Sequence, residues 1–176
     1  NAEKTVSMTF RRGGRRGTFY INETPLQSVN NFTYLGITLQ TQGNVFTRHI
    51  NDRVNAATRA ISDIKSIGKL SLETALQLFK LKVDPVATYG LENVWLHLKK
   101  KSLEKIEKLK ATYLKRVLCL SKYTPSRLVY ELAREPFYIE ELRLKLLLPT
   151  TPAYQDLLRE LHEKKRKIWD EFYVTD

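Results

Sequence analysis

Hydrophobic positions alternate along the first part of the chain. Val6, Met8 and Phe10 fall on one side of Thr5–Phe10, the two-residue period of a half-buried strand. Arg11-Arg12-Gly13-Gly14-Arg15-Arg16-Gly17 breaks that pattern, and Thr18 to Ile21 resumes it. Asn22-Glu23-Thr24-Pro25 has the composition of a turn. Val29 and the run Phe32 to Leu39, rich in β-branched and aromatic residues, predict a further strand. Together these segments predict a small antiparallel meander over residues 1–43.

After Gly43 the period lengthens to that of a helix. Phe46, Ile50, Val54, Ala57, Ile61 and Ile64 recur every three or four residues and predict a helix of about six turns, with Gly68 as its stop. Ser71 suits the N-cap of a second helix that turns Leu72, Leu76, Phe79, Val83 and Val86 inward. Pro85 is expected to kink or end it, and Tyr89-Gly90 closes it. A third helix runs from Lys99 to Leu120, capped by Ser102, with Leu103, Ile106, Leu109, Tyr113 and Val117 as its apolar stripe. Thr124-Pro125 reads as N-cap and first residue of a short helix ending near Arg134. Glu135-Pro136 interrupts, Ile139 to Leu148 is helical again, and a last charged helix follows from Ala153 to about Tyr173. The expected fold is α+β and mostly α: a β-meander followed by a helical bundle, in segments 1–43, 44–98, 99–148 and 149–176. Phe10, Leu35, Ile37, Ile61, Ile64, Leu76, Phe79, Leu109 and Val117 are expected in the core.

Composition narrows the chemistry. A hydrophobic content of 42 % supports a core. One cysteine, Cys119, excludes a disulfide framework, and His49, His97 and His162 have no metal-ligand spacing. His49 and His97 read as surface or interface residues, His162 as solvated, and Cys119 as a small core residue. No apolar run approaches the ~20 residues of a membrane span, so no membrane partner is expected. With neither an initiator Met nor a signal-peptide core, the start reads as part of a longer, intracellular chain. The sequons at Asn22 and Asn31 should then be silent. Templates for catalysis fail too: there is no Asp-Asp pair, phosphate-binding glycine loop or nucleophile elbow.

Charge supplies the positive signal. The net charge is +11, and residues 99–127 hold 10 basic and 2 acidic side chains, whereas 128–176 hold 8 and 10. Such concentration is how a polyanion-binding face reads, although a solvated Lys-rich helix has the same composition. Two clusters compete. One is Arg11, Arg12, Arg15 and Arg16 on the glycine loop, which a mobile, merely soluble hairpin tip would also explain. The other is Lys99, Lys100, Lys101, Lys105, Lys108, Lys110, Lys115 and Lys122 on and around the third helix. With the helical phase continued, Lys101, Lys105, Lys108, Lys115 and Lys122 recur at steps of 4, 3, 7 and 7, hence on one stripe opposite the apolar one.

An ordered series of motifs adds to this reading. Asn1-Ala2-Glu3-Lys4-Thr5 ahead of a strand, then Phe32-Thr33-Tyr34-Leu35-Gly36, resemble consecutive motifs D and E of the reverse transcriptases of non-LTR (LINE-type) retrotransposons. Phe46-Thr47-Arg48-His49-Ile50, then Pro85 and Tyr89-Gly90-Leu91-Glu92-Asn93-Val94-Trp95, continue the series. Lys115-Arg116-Val117-Leu118-Cys119-Leu120 and Thr124-Pro125-Ser126 are similar to the region beyond that family's thumb. The resemblance covers most of residues 1–148; residues 149–176 resemble nothing.

The resemblance implies roles for particular residues. Lys4 corresponds to a lysine associated with nucleotide and pyrophosphate handling. Tyr34, Leu35 and Gly36 correspond to a primer grip, where a tight turn holds the primer terminus. Residues 46–90 correspond to a thumb that tracks a template–primer duplex. The fingers, most of the palm and its metal-binding aspartates have no counterpart, so Mg²⁺ would belong to the missing palm and this chain has no cofactor of its own. The resemblance therefore implies a nuclear, RNA–DNA- or DNA-duplex-binding piece that is inactive alone. Two alternatives stay open. One is a domesticated remnant that binds a protein, through 153–176 with its Leu157, Leu158, Leu161, Ile168 and Trp169. The other is one part of an active RNA-directed DNA polymerase completed by an N-terminal portion.

Overall fold

A computed structural model of the chain describes residues 5–10 and 17–147, together with Asp156, Arg159, Glu160 and Glu163. The fold is α+β and mostly helical, and the chain divides into two compact units, residues 1–52 and 53–176.

The first unit carries six short strands: β1 (Val6–Ser7), β2 (Tyr20–Ile21), β3 (Thr24–Pro25), β4 (Gln27–Ser28), β5 (Asn31–Tyr34) and β6 (Ile37–Gln40). They pair two by two. β2 and β3 form an antiparallel hairpin, Tyr20 opposite Pro25, whose turn residues Asn22 and Glu23 have φ of 45° and 64°. Two-residue hairpins whose twist matches their strands require that left-handed pair, and asparagine tolerates it well. β1 pairs with β4 in parallel, Val6 opposite Gln27, a departure from the all-antiparallel meander. A parallel pairing needs an even number of reversals in its connection, and the β2–β3 hairpin supplies one.

The run Phe32–Leu39 is not one strand but a hairpin, β5 and β6, folded at Leu35-Gly36. Both turn residues have positive φ, 46° and 77°, and Gly36 meets that requirement without a Cβ clash. Leu35 therefore projects from the tip at 76 % exposure instead of entering the core, and Ile37 is half-buried. Phe10 is also exposed, because β1 stops pairing at Ser7. His49, expected at the surface, is buried, and its Nδ1 accepts the backbone N–H of Thr38 at 3.4 Å.

Helix α1 spans Thr47–Ser62, about four and a half turns rather than six. Ile50, Ala57 and Ile61 on the predicted stripe are buried, as is Ile64 just beyond it. Gly68 does not stop this helix. The left-handed residue is Ser66 (φ 54°), and Gly68 lies in the following 3₁₀ turn, Ile67–Lys69. A Cβ at Gly68 would fall 2.8 Å from the Cys119 sulfur, which would have to move to admit it, so this glycine marks a close approach. Cys119 is itself exposed, at φ 53°, because the helix preceding it has already ended.

Ser71 caps α2 (Leu72–Leu78) by accepting the Thr74 N–H at 3.2 Å. A π-helical turn, Phe79–Val83, then leads into α3 (Asp84–Thr88), which contains Pro85. Pro85 has no N–H to give and its ring excludes the carbonyl four residues back, so the widened turn lets the chain continue without a break. Phe79 and Val83 are buried, whereas Leu72, Leu76 and Val86 are half-buried. Gly90 (φ 76°) starts α4 (Leu91–Val94).

Three helices complete the second unit: α5 (Lys100–Val117), α6 (Ser126–Ala133) and α7 (Tyr138–Leu147). Ser102 is not the cap of α5; Lys99 occupies that position and Ser102 is buried in the first turn. Helix α6 starts one residue later than expected, because Pro125 is extended (ψ 133°) and serves as N-cap. Of the predicted helix 153–173, Asp156, Arg159, Glu160 and Glu163 are helical and exposed. Its other residues, including Leu157, Leu158, Leu161, Ile168 and Trp169, lie outside the described residues.

The core of the second unit meets at Phe79. Its ring lies 5.0 Å from Tyr113 and 5.4 Å edge-on from Tyr138, joining the π turn to α5 and α7. The Tyr113 hydroxyl donates to the Ala75 carbonyl at 2.6 Å. Polar groups are equally organised. Lys110, 2 % exposed, donates to Glu135 and Glu141 at 2.8 Å each. The Tyr138 hydroxyl donates to Asp84, which also holds Lys145 at 2.9 Å. Glu107 of α5 accepts the N–H groups of Tyr138 and Ile139 at 3.2 and 2.8 Å, capping α7 from a neighbouring helix.

These groups favour their protonated forms. Burial opposes the charge on Lys110, but the Glu141 and Glu135 carboxylates outweigh it and hold the ammonium above its ordinary range. Burial, aided by the Asp84 carboxylate, pushes the Tyr138 phenol far up; burial and Glu107 do the same for Tyr130. The fold thus keeps protons that an unfolded chain releases near pH 10, so their stabilisation is complete below about pH 10 and lost above it. The thermal midpoint should fall steeply above pH 10, with the phenolate absorbance of Tyr130 and Tyr138 appearing only as the chain unfolds. Phenolate formation by every tyrosine in the folded chain would contradict this.

Candidate nucleic-acid interface

The orientation of α5 decides which cations reach solvent. At ~100° per residue, Lys101, Lys105, Lys108, Thr112, Lys115 and Arg116 fall within an arc of about 100°. Lys101, Lys105, Lys108, Thr112 and Arg116 are exposed and Lys115 is half-buried. Ile106, Leu109, Lys110, Tyr113, Leu114 and Val117 occupy the buried side. From Lys101 to Arg116 the ridge runs ~22 Å along the helix. At its end the Lys115 ammonium donates to the Lys122 carbonyl at 3.0 Å, and the Lys122 ammonium lies 4.9 Å from the centre of the Tyr123 ring. Among the described residues this is the site at which most of the sequence-selected lysines meet.

One selection needs correction. Lys110 belongs with the core, not the basic cluster, because two carboxylates opposite α5 draw it inward. Leu109 is buried as expected, yet it also borders a groove beside the lysines. One residue was missed: Arg116, exposed, whose Nη1 donates to the Ile61 carbonyl at the end of α1 at 3.2 Å. Its signal was its spacing, eleven residues from Lys105, which is close to three full turns.

A groove flanks the ridge on each side. The first, of about 320 Å³, lies between α1 and α5. Val54, Ile61 and Leu109 line it with Thr58, Ser62, Thr112, Lys105, Lys108 and Arg116, and among the described residues no carboxylate does. Thr58 and Ser62 spend their hydroxyl protons on the carbonyls of Val54 and Thr58, at 2.8 and 3.0 Å. The second groove, of about 410 Å³, has Leu103, Phe137 and Ile139 as its apolar surface and Glu104, Glu107 and Glu140 beside Lys100 and Lys108. Lys108 borders both. A polyanion on this helix meets attraction on the α1 side and carboxylates on the other.

In the first unit, Tyr34, Leu35 and Gly36 form the β5–β6 tip, with Tyr34 63 % and Leu35 76 % exposed. Lys4, Arg11, Arg12, Arg15, Arg16 and His162 lie outside the described residues. The Cys119 sulfur faces the Gly68 carbonyl at 3.8 Å, and among the described residues no base is shown beside it. Among the described residues no group of His, Cys, Asp and Glu could hold a metal ion, and no helix is long and apolar enough to cross a membrane. Comparison of the chain with protein-family models, with characterised proteins and with solved structures gives no match.

The two kinds of lysine on α5 should respond differently to truncation. Lys110→Ala leaves two carboxylates facing each other in the core and should destabilise the protein by about 3–5 kcal/mol in denaturant unfolding. Lys108→Ala should change stability by less than about 0.5 kcal/mol. Equal effects would mean that Lys110 is not held as described.

Proposed function

We propose that the chain is a nucleic-acid-binding piece of a LINE-type reverse transcriptase that grips a template–primer duplex and does not polymerise by itself. The observation that carries this reading is the outward cation ridge of α5, set beside a groove whose charged lining, among the described residues, is Lys105, Lys108 and Arg116. Such a ridge neutralises phosphates at several points and releases their counterions, which gives strong, salt-dependent and sequence-independent binding. The ordered motif resemblance selects the ligand: the thumb of that family lies along a duplex. The exposed hairpin tip Tyr34-Leu35-Gly36 fits the primer-grip role, since its backbone is open to a ligand, and Lys4 takes the nucleotide-handling role by resemblance. Two-metal phosphoryl transfer needs carboxylates that fix both ions, and the reading places these in a palm that precedes this chain. Joined to that portion, the same residues would serve an active RNA-directed DNA polymerase.

A second reading, a domesticated module that binds a protein, is favoured by the groove between α5 and α7. Leu103, Phe137 and Ile139 give it an apolar surface, and Glu104 and Glu140 give it charges unsuited to phosphate. Salt distinguishes the two. Lys101→Glu, Lys105→Glu and Lys108→Glu together should weaken duplex binding for every sequence and flatten the log–log salt slope by about 2–3. Unchanged duplex affinity, with salt-insensitive capture of one protein, would favour the second reading. Incubated with template–primer, dNTPs and Mg²⁺, the chain should extend no primer, whereas extension that survives removal of contaminating polymerases would show it to be an enzyme.

A further inference from the structure

We infer that the groove between α1 and α5 holds one phosphodiester strand of the bound nucleic acid and that Arg116 is the residue that fixes a phosphate there. The inference rests on the binding reading above and goes further in naming the track and its anchor. Three features of the groove point to it. Its α5 wall presents Lys105, Lys108 and Arg116 over ~17 Å, the length of about five base-pair rises of ~3.4 Å. Its α1 wall presents Thr58 and Ser62, whose hydroxyl protons are already donated along the helix, so this wall offers oxygens that accept but cannot donate to phosphate. Its floor of Val54, Ile61 and Leu109 offers no competing charge. A strand in the groove is thereby held to the α5 wall. The carboxylates of Glu104, Glu107 and Glu140 bar it from the opposite side of the helix.

Arg116 differs from the lysines in one respect. A guanidinium has five donors in a rigid plane, and one of them is engaged with the Ile61 carbonyl at 3.2 Å. That bond ties the group to the end of α1 across the groove and leaves the rest of the fork to meet a phosphate in a set orientation. Lys105 and Lys108 are exposed, on flexible stems. They supply charge, and Arg116 supplies charge with direction.

The test compares Arg116→Lys, Arg116→Gln and Arg127→Gln, the last an exposed cation on α6 outside the groove. Binding to a fluorescent duplex is measured across a salt series, and each variant's folding is checked by its thermal midpoint. Arg116→Lys keeps the charge and loses the fork; its affinity should fall about 10-fold with the salt slope unchanged. Arg116→Gln removes the charge as well as the fork and should also lose about 0.9 of the slope, one phosphate contact. Arg127→Gln should bind as the unaltered chain does. If the Arg116 variants bind normally while the triple lysine reversal still abolishes binding, the groove assignment is wrong and the ridge reading survives. If neither change matters, both fall. Should an Arg116 variant fail to fold, the unaltered chain decides: duplex should protect Arg116 from an arginine-modifying dicarbonyl, and equal modification with and without duplex overturns the inference.

Discussion

Lys110 is a cation in the middle of a basic helix that has been taken out of water. Its ammonium lies between Glu135, just beyond α6, and Glu141, within α7, at 2.8 Å from each, and its side chain is 2 % exposed. An unpaired charge there would be prohibitive, and burial of a pair is worthwhile only when the geometry is good. Here one donor with three protons meets two carboxylates, the Tyr138 ring stacks 5.7 Å from the ammonium, and Glu107 one turn earlier caps α7. Replacing Lys110 strands both carboxylates.

This constraint fixes the rotation of α5 about its axis, and function follows from rotation. With Lys110, Tyr113 and Val117 inward, Lys101, Lys105 and Lys108 on the other side of the helix must face outward, and Arg116 lies at the edge of that face. Glu107, which caps α7, also borders the second groove, beside Glu104 and Glu140. The groove toward α1 is left bordered by cations. The face that α5 shows to solvent is in this way a consequence of which of its cations the core holds.

Much of this was legible in the sequence. Helices α1, α2, α5, α6 and α7, the Ser71 cap, the turn at Asn22-Glu23 and the lysine stripe follow from local period and local chemistry. What escaped depends on distant partners. Nothing near Lys110 in sequence announces Glu135 and Glu141, more than twenty residues away, and so its burial could not be read from a run of lysines. Gly68 looks like a helix stop until the Cys119 sulfur is seen against it. Phe32 to Leu39 has the composition of one strand, and only the positive φ of Leu35 and Gly36 divides it into two. Arg116 carries the same stripe as the lysines, but its bond to Ile61 belongs to the packing of α1 on α5.

The central claim is that lysines of one helix serve two purposes set by its rotation. Lysine acetylation followed by mass spectrometry, with and without an RNA–DNA duplex, reads both at once. The account predicts that Lys110 is unmodified in either state, while Lys101, Lys105 and Lys108 react in the protein alone and are protected by the duplex. Modification of Lys110 in the folded chain, or duplex protection that spares Lys101, Lys105 and Lys108, would contradict it.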